Sequence, residues 1–263
     1  MKNQFKTLAF LVIAALSLSA CGTAKKADTT KTEQKTQAKL SLEDGIYQAK
    51  FTTDNRMFHV NEACNGKATL TVKGGEGTLH LVMPSKNVVN LFSGVASDAK
   101  KKGAELIQPT EEEITFEDGL KESVYAFDVP LPVVDQEFDL ALVGTKGKWY
   151  DHKVKVTDVT SEGEFFADLS LEGGSGRASI MSPAKVTAKD KVYTVLLEWS
   201  SPYYDYMIVD GKTYKPVNKD GNSIFEVSFQ DLSKPVKVIA DTVAMSKPHE
   251  IEYTITCNHL TAH

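Results

Sequence analysis

The sequence predicts an all-β protein built from two tandem sheet-on-sheet units. Three observations predict it. From residue 40 onward, apolar and polar residues alternate in short runs, as in Lys67-Ala-Thr-Leu-Thr-Val-Lys73; a period of two turns one face of a strand inward. Glycines and prolines separate the runs, as turns require. The pattern then recurs in the latter half of the chain, the mark of a duplicated unit.

The amino terminus is of another kind. Lys2 and Lys6 precede an apolar run over residues 8–18, which reads as a secretory signal too short to span a bilayer. It ends in Leu18-Ser19-Ala20-Cys21-Gly22. A small-residue pair before a cysteine resembles the lipobox of bacterial lipoproteins. The resemblance implies a signal peptide over 1–20, lipidation (palmitate-type chains) of Cys21, and an extracytoplasmic protein anchored to the cell membrane. Each acyl chain contributes roughly 0.8 kcal/mol per buried methylene, so two or three hold the chain in place. The alternative is an ordinary secretory signal with a chance cysteine. Residues 21–39 carry no large apolar side chain and read as a disordered, basic tether.

The strands follow in order. Residues 45–51 form the first. Residues 67–73 and 77–83 form a hairpin around Gly74-Gly75. His80, between Leu79 and Leu81, reads as a satisfied histidine on the outer face of that sheet. Residues 98–107 are the helical candidate, with Ser97 as N-cap and Pro109 beyond the end. Glu111-Glu-Glu113 reads as a solvated face. Tyr125, Phe127, Val129 and Leu131 alternate along another strand, and Phe138, Leu140 and Leu142 along the next. Then Thr145-Lys-Gly-Lys148 turns into Trp149-Tyr-Asp-His-Lys-Val-Lys-Val156, with Val154 and Val156 inward and Lys153 and Lys155 outward.

Asp44-Gly-Ile-Tyr-Gln-Ala-Lys-Phe51 is echoed by Glu162-Gly-Glu-Phe-Phe-Ala-Asp-Leu169. Thr78-Leu-His-Leu81 is echoed by Thr194-Val-Leu-Leu197, and Phe127-Asp-Val129 by Phe225-Glu-Val227. The last pair lies closer together than the others. An insertion therefore sits in the first copy, over residues 95–118 and around the helical candidate. The units are residues 40–158 and 159–263, each of a size usual for a domain.

Composition excludes some functions. The net charge of −5 gives no support for a nucleic-acid partner. No nucleophile elbow, paired-carboxylate or phosphate-loop pattern stands out, so the chain reads as not an enzyme. No Cys/His spacing suits zinc. Cys64 and Cys257 lie in different halves; two separate buried thiols are preferred over a disulfide.

The second copy reads Met181-Ser-Pro-Ala-Lys-Val-Thr-Ala-Lys-Asp-Lys-Val-Tyr-Thr-Val195, then Met207-Ile-Val-Asp-Gly-Lys-Thr-Tyr214, then Phe225-Glu-Val-Ser-Phe-Gln-Asp-Leu-Ser-Lys-Pro-Val236. It resembles the NEAT (near-iron transporter) domain of bacterial surface proteins, and residues 40–156 resemble it more weakly. The resemblance implies two immunoglobulin-like (NEAT-like) β-sandwiches, the first with a short helical insertion. It also implies binding of haem, or of iron in another form, between a lip after the first strand and a late hairpin, and delivery to an ABC-type uptake system or another surface haem protein. The family hairpin carries Tyr-x-x-x-Tyr, whose first tyrosine ligates iron. Here Tyr150 takes that position and Val154 the second; in the later copy His249 and Tyr253 do.

The candidate haem or metal residues are thus Tyr150 and His152 on the hairpin, and Met57 and His59 on the lip over residues 54–64. A plug of the sandwich end by Met57 and Phe58 is the competing reading of the lip. Second-unit candidates are Arg177, Tyr203, Tyr204, Tyr206 and His249. The tyrosines would face a ligand or partner, or pack against the neighbouring unit. Two further functions stay open: a protein-interaction or adhesion module without cofactor, and a bare metal-ion site from Met57, His59, Cys64 and His152.

Overall fold

The computed structural model describes residues 39–116, 118–244 and 247–263. The signal peptide expected over 1–20, the expected lipidation at Cys21 and all but the last residue of the tether expected over 21–39 lie outside the described residues. Among the described residues, no helix is long and apolar enough to cross a membrane.

The chain is nearly all β. The first set of strands is β1 (Gly45–Thr53), β2 (Lys67–Lys73), β3 (Glu76–Val82), β4 (Val88–Ser93), β5 (Thr110–Thr115), β6 (Lys121–Leu131), β7 (Glu137–Gly144), β8 (Trp149–Tyr150) and β9 (Lys153–Thr160). The second is β10 (Gly163–Gly173), β11 (Ala184–Lys189), β12 (Val192–Glu198), β13 (Tyr204–Val209), β14 (Lys212–Tyr214), β15 (Ile224–Phe229), β16 (Val236–Thr242) and β17 (His249–Ala262).

Each set forms one sheet. The first runs β4-β7-β9-β1-β2-β3-β6-β5, with β8 pairing to β7; the second runs β14-β13-β16-β17-β10-β11-β12-β15. The duplication is visible in this order. The path β4-β7-β9-β1-β2-β3-β6 maps strand for strand onto β13-β16-β17-β10-β11-β12-β15. What differs is an added edge strand, β5 at one end of the first sheet and β14 at the opposite end of the second, together with β8.

Each sheet curls around its own core in a sandwich- or barrel-like fold. Alternation does this directly: in β2, Ala68, Leu70 and Val72 are buried while Thr71 and Lys73 are exposed. Val154 and Val156 turn inward and Lys153 outward. Phe127, Leu140 and Leu79 are central in the first core; Trp199, Phe165 and Phe225 are central in the second. Full burial of one such side chain contributes roughly 1.5–3 kcal/mol. Gly74 and Gly75, both at positive φ (61° and 81°), close the β2–β3 hairpin where side chains would be strained.

The insertion departs from expectation. The helix is a single turn, α1 (Ala96–Ala99), with Val95 rather than Ser97 at its N-cap and no side-chain capping bond. Its first amide, that of Ala96, donates to the Asp151 carboxylate instead, and with Gly103 at φ +85° the turn does not propagate. Ile107 instead exchanges backbone bonds with Leu91 (2.8 and 3.1 Å). Glu111-Glu-Glu113 is the middle of β5, in register with residues 123–125 of β6; Glu111 and Glu113 are exposed, as a solvated face requires, while Glu112 is partly buried.

The sheets meet along a polar seam. Gln48 Nε2 donates to the Glu164 carbonyl, Lys67 Nζ to the His263 carbonyl at 2.6 Å, and the Ala262 amide to Thr69 Oγ1 at 2.8 Å. The approach is close: a Cβ on Gly163 would come within 2.6 Å of Gln48 Oε1.

Candidate functional site

The hairpin and the lip of the first sheet do come together, through His152. This residue lies between β8 and β9 and is 8% exposed. Its Nδ1 donates to Asp54 Oδ1 at 2.8 Å. Asp54 Oδ2 accepts the Lys153 amide at 3.1 Å, and the Asp54 amide donates to the Lys153 carbonyl at 3.0 Å. The Lys153 amide, and then His152, hold the Asp54 carboxyl below its usual range. The imidazole packs on Phe58 at 5.2 Å between centroids, and Phe58 meets Phe51 edge-on at 5.7 Å. Asp54, His152 and Phe58 thus form a latch that fixes the start of the lip against the start of β9.

The remaining candidates lie outside that latch. Tyr150 is 46% exposed on β8, paired with Leu142 of β7, and Lys148 Nζ stands 5.0 Å over its ring. Trp149 beside it is half-buried. Met57 projects into solvent at 87% exposure, while its neighbour Phe58 is buried, so only Phe58 plugs the end of the fold. His59 is half-exposed, with Nδ1 bonded to the Val60 carbonyl at 2.8 Å and 3.8 Å from Glu62 Oε1. Cys64 belongs to a separate apolar cluster with Val82, Ile114, Val124 and Ala126. Burial pushes its thiol up to about 12, so without a metal it stays protonated. Cys64 and Cys257 are both free.

In the second sheet the tyrosines separate. Tyr203 is exposed, but Tyr204 is a core residue rather than a surface contact. Its ring lies 4.2 Å from Trp199, and its hydroxyl is 3.1 Å from that of Tyr253, which is also buried. The β-bulge between Tyr204 and Tyr206 sends neighbouring side chains to opposite faces. Tyr206 lies on the outer face and donates to Glu250 Oε1 at 2.6 Å, with Lys215 Nζ 4.8 Å over its ring. Beneath that bond lies Asp241, 1% exposed. Burial, then the adjoining Asp205, then Glu250 raise its carboxyl above the usual range. Arg177 and His249 are exposed, Arg177 in the loop after β10 and His249 at the start of β17.

Sequence reasoning missed the cluster at the seam. His80 Nδ1 donates to Asp128 Oδ1 at 2.9 Å, and Nε2 lies 3.3 Å from Glu112 Oε2. His259, from the other sheet, stands 3.8 Å from Glu112 and 3.8 Å from Asp168. Burial disfavours charge on His80, but bonds to Asp128 and Glu112 outweigh it and push its value up to about 9. A cleft of about 1230 Å³ opens beside this seam, lined among others by Cys64, Glu112, Phe166, Asp168 and His259. No local sequence signal joins residues so distant in the chain.

Among the described residues, no three His, Cys, Asp or Glu side chains converge as a ready-made metal centre. The sequence matches no protein-family model and none of the curated proteins.

Proposed function

We propose that the protein is a membrane-anchored, extracytoplasmic lipoprotein of two NEAT-like sandwiches that captures haem, or iron in another form, and passes it to an uptake system. One observation carries this reading: Tyr150 presents a half-exposed phenol on a short strand whose neighbouring turn is latched to the lip by His152 and Asp54. The residues fit haem in kind. Tyr150 would ligate iron, Trp149 and Met57 offer apolar surface for a porphyrin, and Lys148 offers a cation for a propionate. His152 serves as a positioning residue, since its Nδ1 is engaged by Asp54. His59 remains the candidate for a second ligand. Haem, when bound, would supply the iron that Tyr150 holds; the chain's part is to present, orient and release it. The test is an absorbance titration of the full chain with hemin. A saturable Soret band that Tyr150→Phe weakens is expected, and no band in either form would sink the reading.

A second reading, an immunoglobulin-like interaction module without cofactor, is favoured by Val154. It is 1% exposed and part of the core, where the family carries a tyrosine that supports the iron ligand. Such a module predicts a flat hemin titration. Bare-metal binding by Met57, His59, Cys64 and His152 fits less well, because Cys64 is buried in its own apolar cluster.

A further inference from the structure

The outer face of the second sheet holds an unusual group of acids. Tyr206, Asp241 and Glu250 are cross-strand partners on the adjacent strands β13, β16 and β17. Cross-strand partners share a face of the sheet, and the Tyr206–Glu250 hydrogen bond bridges over Asp241 between them. The β-bulge in β13 adds Asp205 beside Asp241. Asp241 is 1% exposed, and among the described residues its Oδ2 and the Oδ1 of Asp205 are both buried with no N–H or O–H donor; the bond open to them is one between the two carboxyls themselves, which needs a shared proton. Among the described residues the counterion falls short: Lys215 Nζ is 3.8 Å from the other Asp205 oxygen, Oδ2, and is largely exposed.

Buried carboxylate oxygens are ordinarily hydrogen-bonded, paired or ligated to a metal. Here the Asp205 and Asp241 carboxyls lie within hydrogen-bonding reach of each other, with Glu250 the cross-strand neighbour of Asp241. Three carboxylates against one loosely placed ammonium and the exposed His249 imidazole leave the group short of positive charge. The donors are all oxygen, the preference of hard cations such as Ca²⁺, Mg²⁺ and Mn²⁺. We propose that Asp205 and Asp241 form a binding site for one hard divalent cation, with Glu250 as a further ligand when it leaves the Tyr206 hydroxyl. The Glu250–Tyr206 bond explains why two carboxylates, not three, are in place beforehand. The site lies on β13, β16 and β17, apart from the latch on the first sheet, and stands independently of the haem reading.

The test uses the full chain stripped with EDTA and titrated at constant ionic strength with CaCl₂, MgCl₂ and MnCl₂ separately. Calorimetry and thermal melting are the readouts. One of these ions is expected to bind at one per chain and to raise the melting temperature saturably. Asp241→Asn should weaken that binding by ~100-fold or more, beyond what loss of an outer-shell partner causes. Asp205→Asn, a second isosteric change, should do the same. Tyr206→Phe releases Glu250 and should tighten binding. If none of the three ions binds, and Asp241→Asn simply raises the melting temperature, the pair only shares a proton and the proposal is wrong. Equal ion responses in the parent and both asparagine variants would overturn it too.

Discussion

The two sheets follow one strand order but finish their folds with different chemistry. In the first, the end beside the lip is closed by a polar latch: Asp54 and His152 over Phe58. In the second, the interior is closed by an aromatic trio, Trp199, Tyr204 and Tyr253, in which the two tyrosine hydroxyls bond each other and the indole N–H donates to Met207 Sδ. The second sheet's acids have moved to the outer face, around Asp241. The strand path depends on alternation and turns, which the copies share. Chemistry depends on a few positions outside that pattern, and there the copies have diverged.

The largest way to break this comparison is to remove the second sheet's anchor. Trp199 is 0% exposed and touches both tyrosines. Trp199→Ala should cost about 3–5 kcal/mol in denaturant unfolding, the range for a large buried aromatic. A loss below ~1 kcal/mol would mean that the trio is peripheral. A smaller effect should come from the first sheet's latch. Asp54→Ala removes the partner of His152 and of the Lys153 amide, but Asp54 itself is partly exposed, so the cost should be about 1 kcal/mol. Because the latch sets the lip, the same variant should weaken hemin binding more than it weakens the fold. Equal proportional losses would make the latch merely structural.

The seam between the sheets gives a pH signature. His80 is held charged up to about 9, against an ordinary 6.5. A raised value favours the folded state fully below 6.5, and the benefit is lost as pH rises through 9. Asp128 and Glu112 are held below their ordinary 3.8 and 4.5, so their contribution is complete above those values and lost in acid. The melting temperature should therefore fall from pH 6.5 to 9, and His80→Gln should flatten that limb. A profile already flat in the parent chain would contradict the account.

Much of the scaffold was legible in the sequence. The hairpin at Gly74-Gly75, the inward Val154 and Val156, and the echo of the first strands in the second half all appear as strands in matching order. Period-two alternation reports burial directly. Less legible was β5: Thr110–Thr115 carries one apolar residue, Ile114, and forms because β6 offers it an edge. The helix over 98–107 shrinks to one turn because Lys100, Lys101, Lys102 and Gly103 are all exposed and give it no stripe to bury. Tyr204 and Tyr206 looked alike in sequence, and only the bulge separates them. Asp241 did leave a signal: an acid within the apolar run Val236-Lys-Val-Ile-Ala-Asp-Thr242. A buried acid in such a strand needs a partner, and sequence alone does not show which.

The most direct measurement is a hemin titration comparing Tyr150→Phe with His249→Ala, the residues that occupy matching hairpin positions in the two copies. The account predicts a saturable Soret band at one haem per chain, weakened by Tyr150→Phe and kept in His249→Ala. A flat titration, or a band that survives Tyr150→Phe but not His249→Ala, would contradict it.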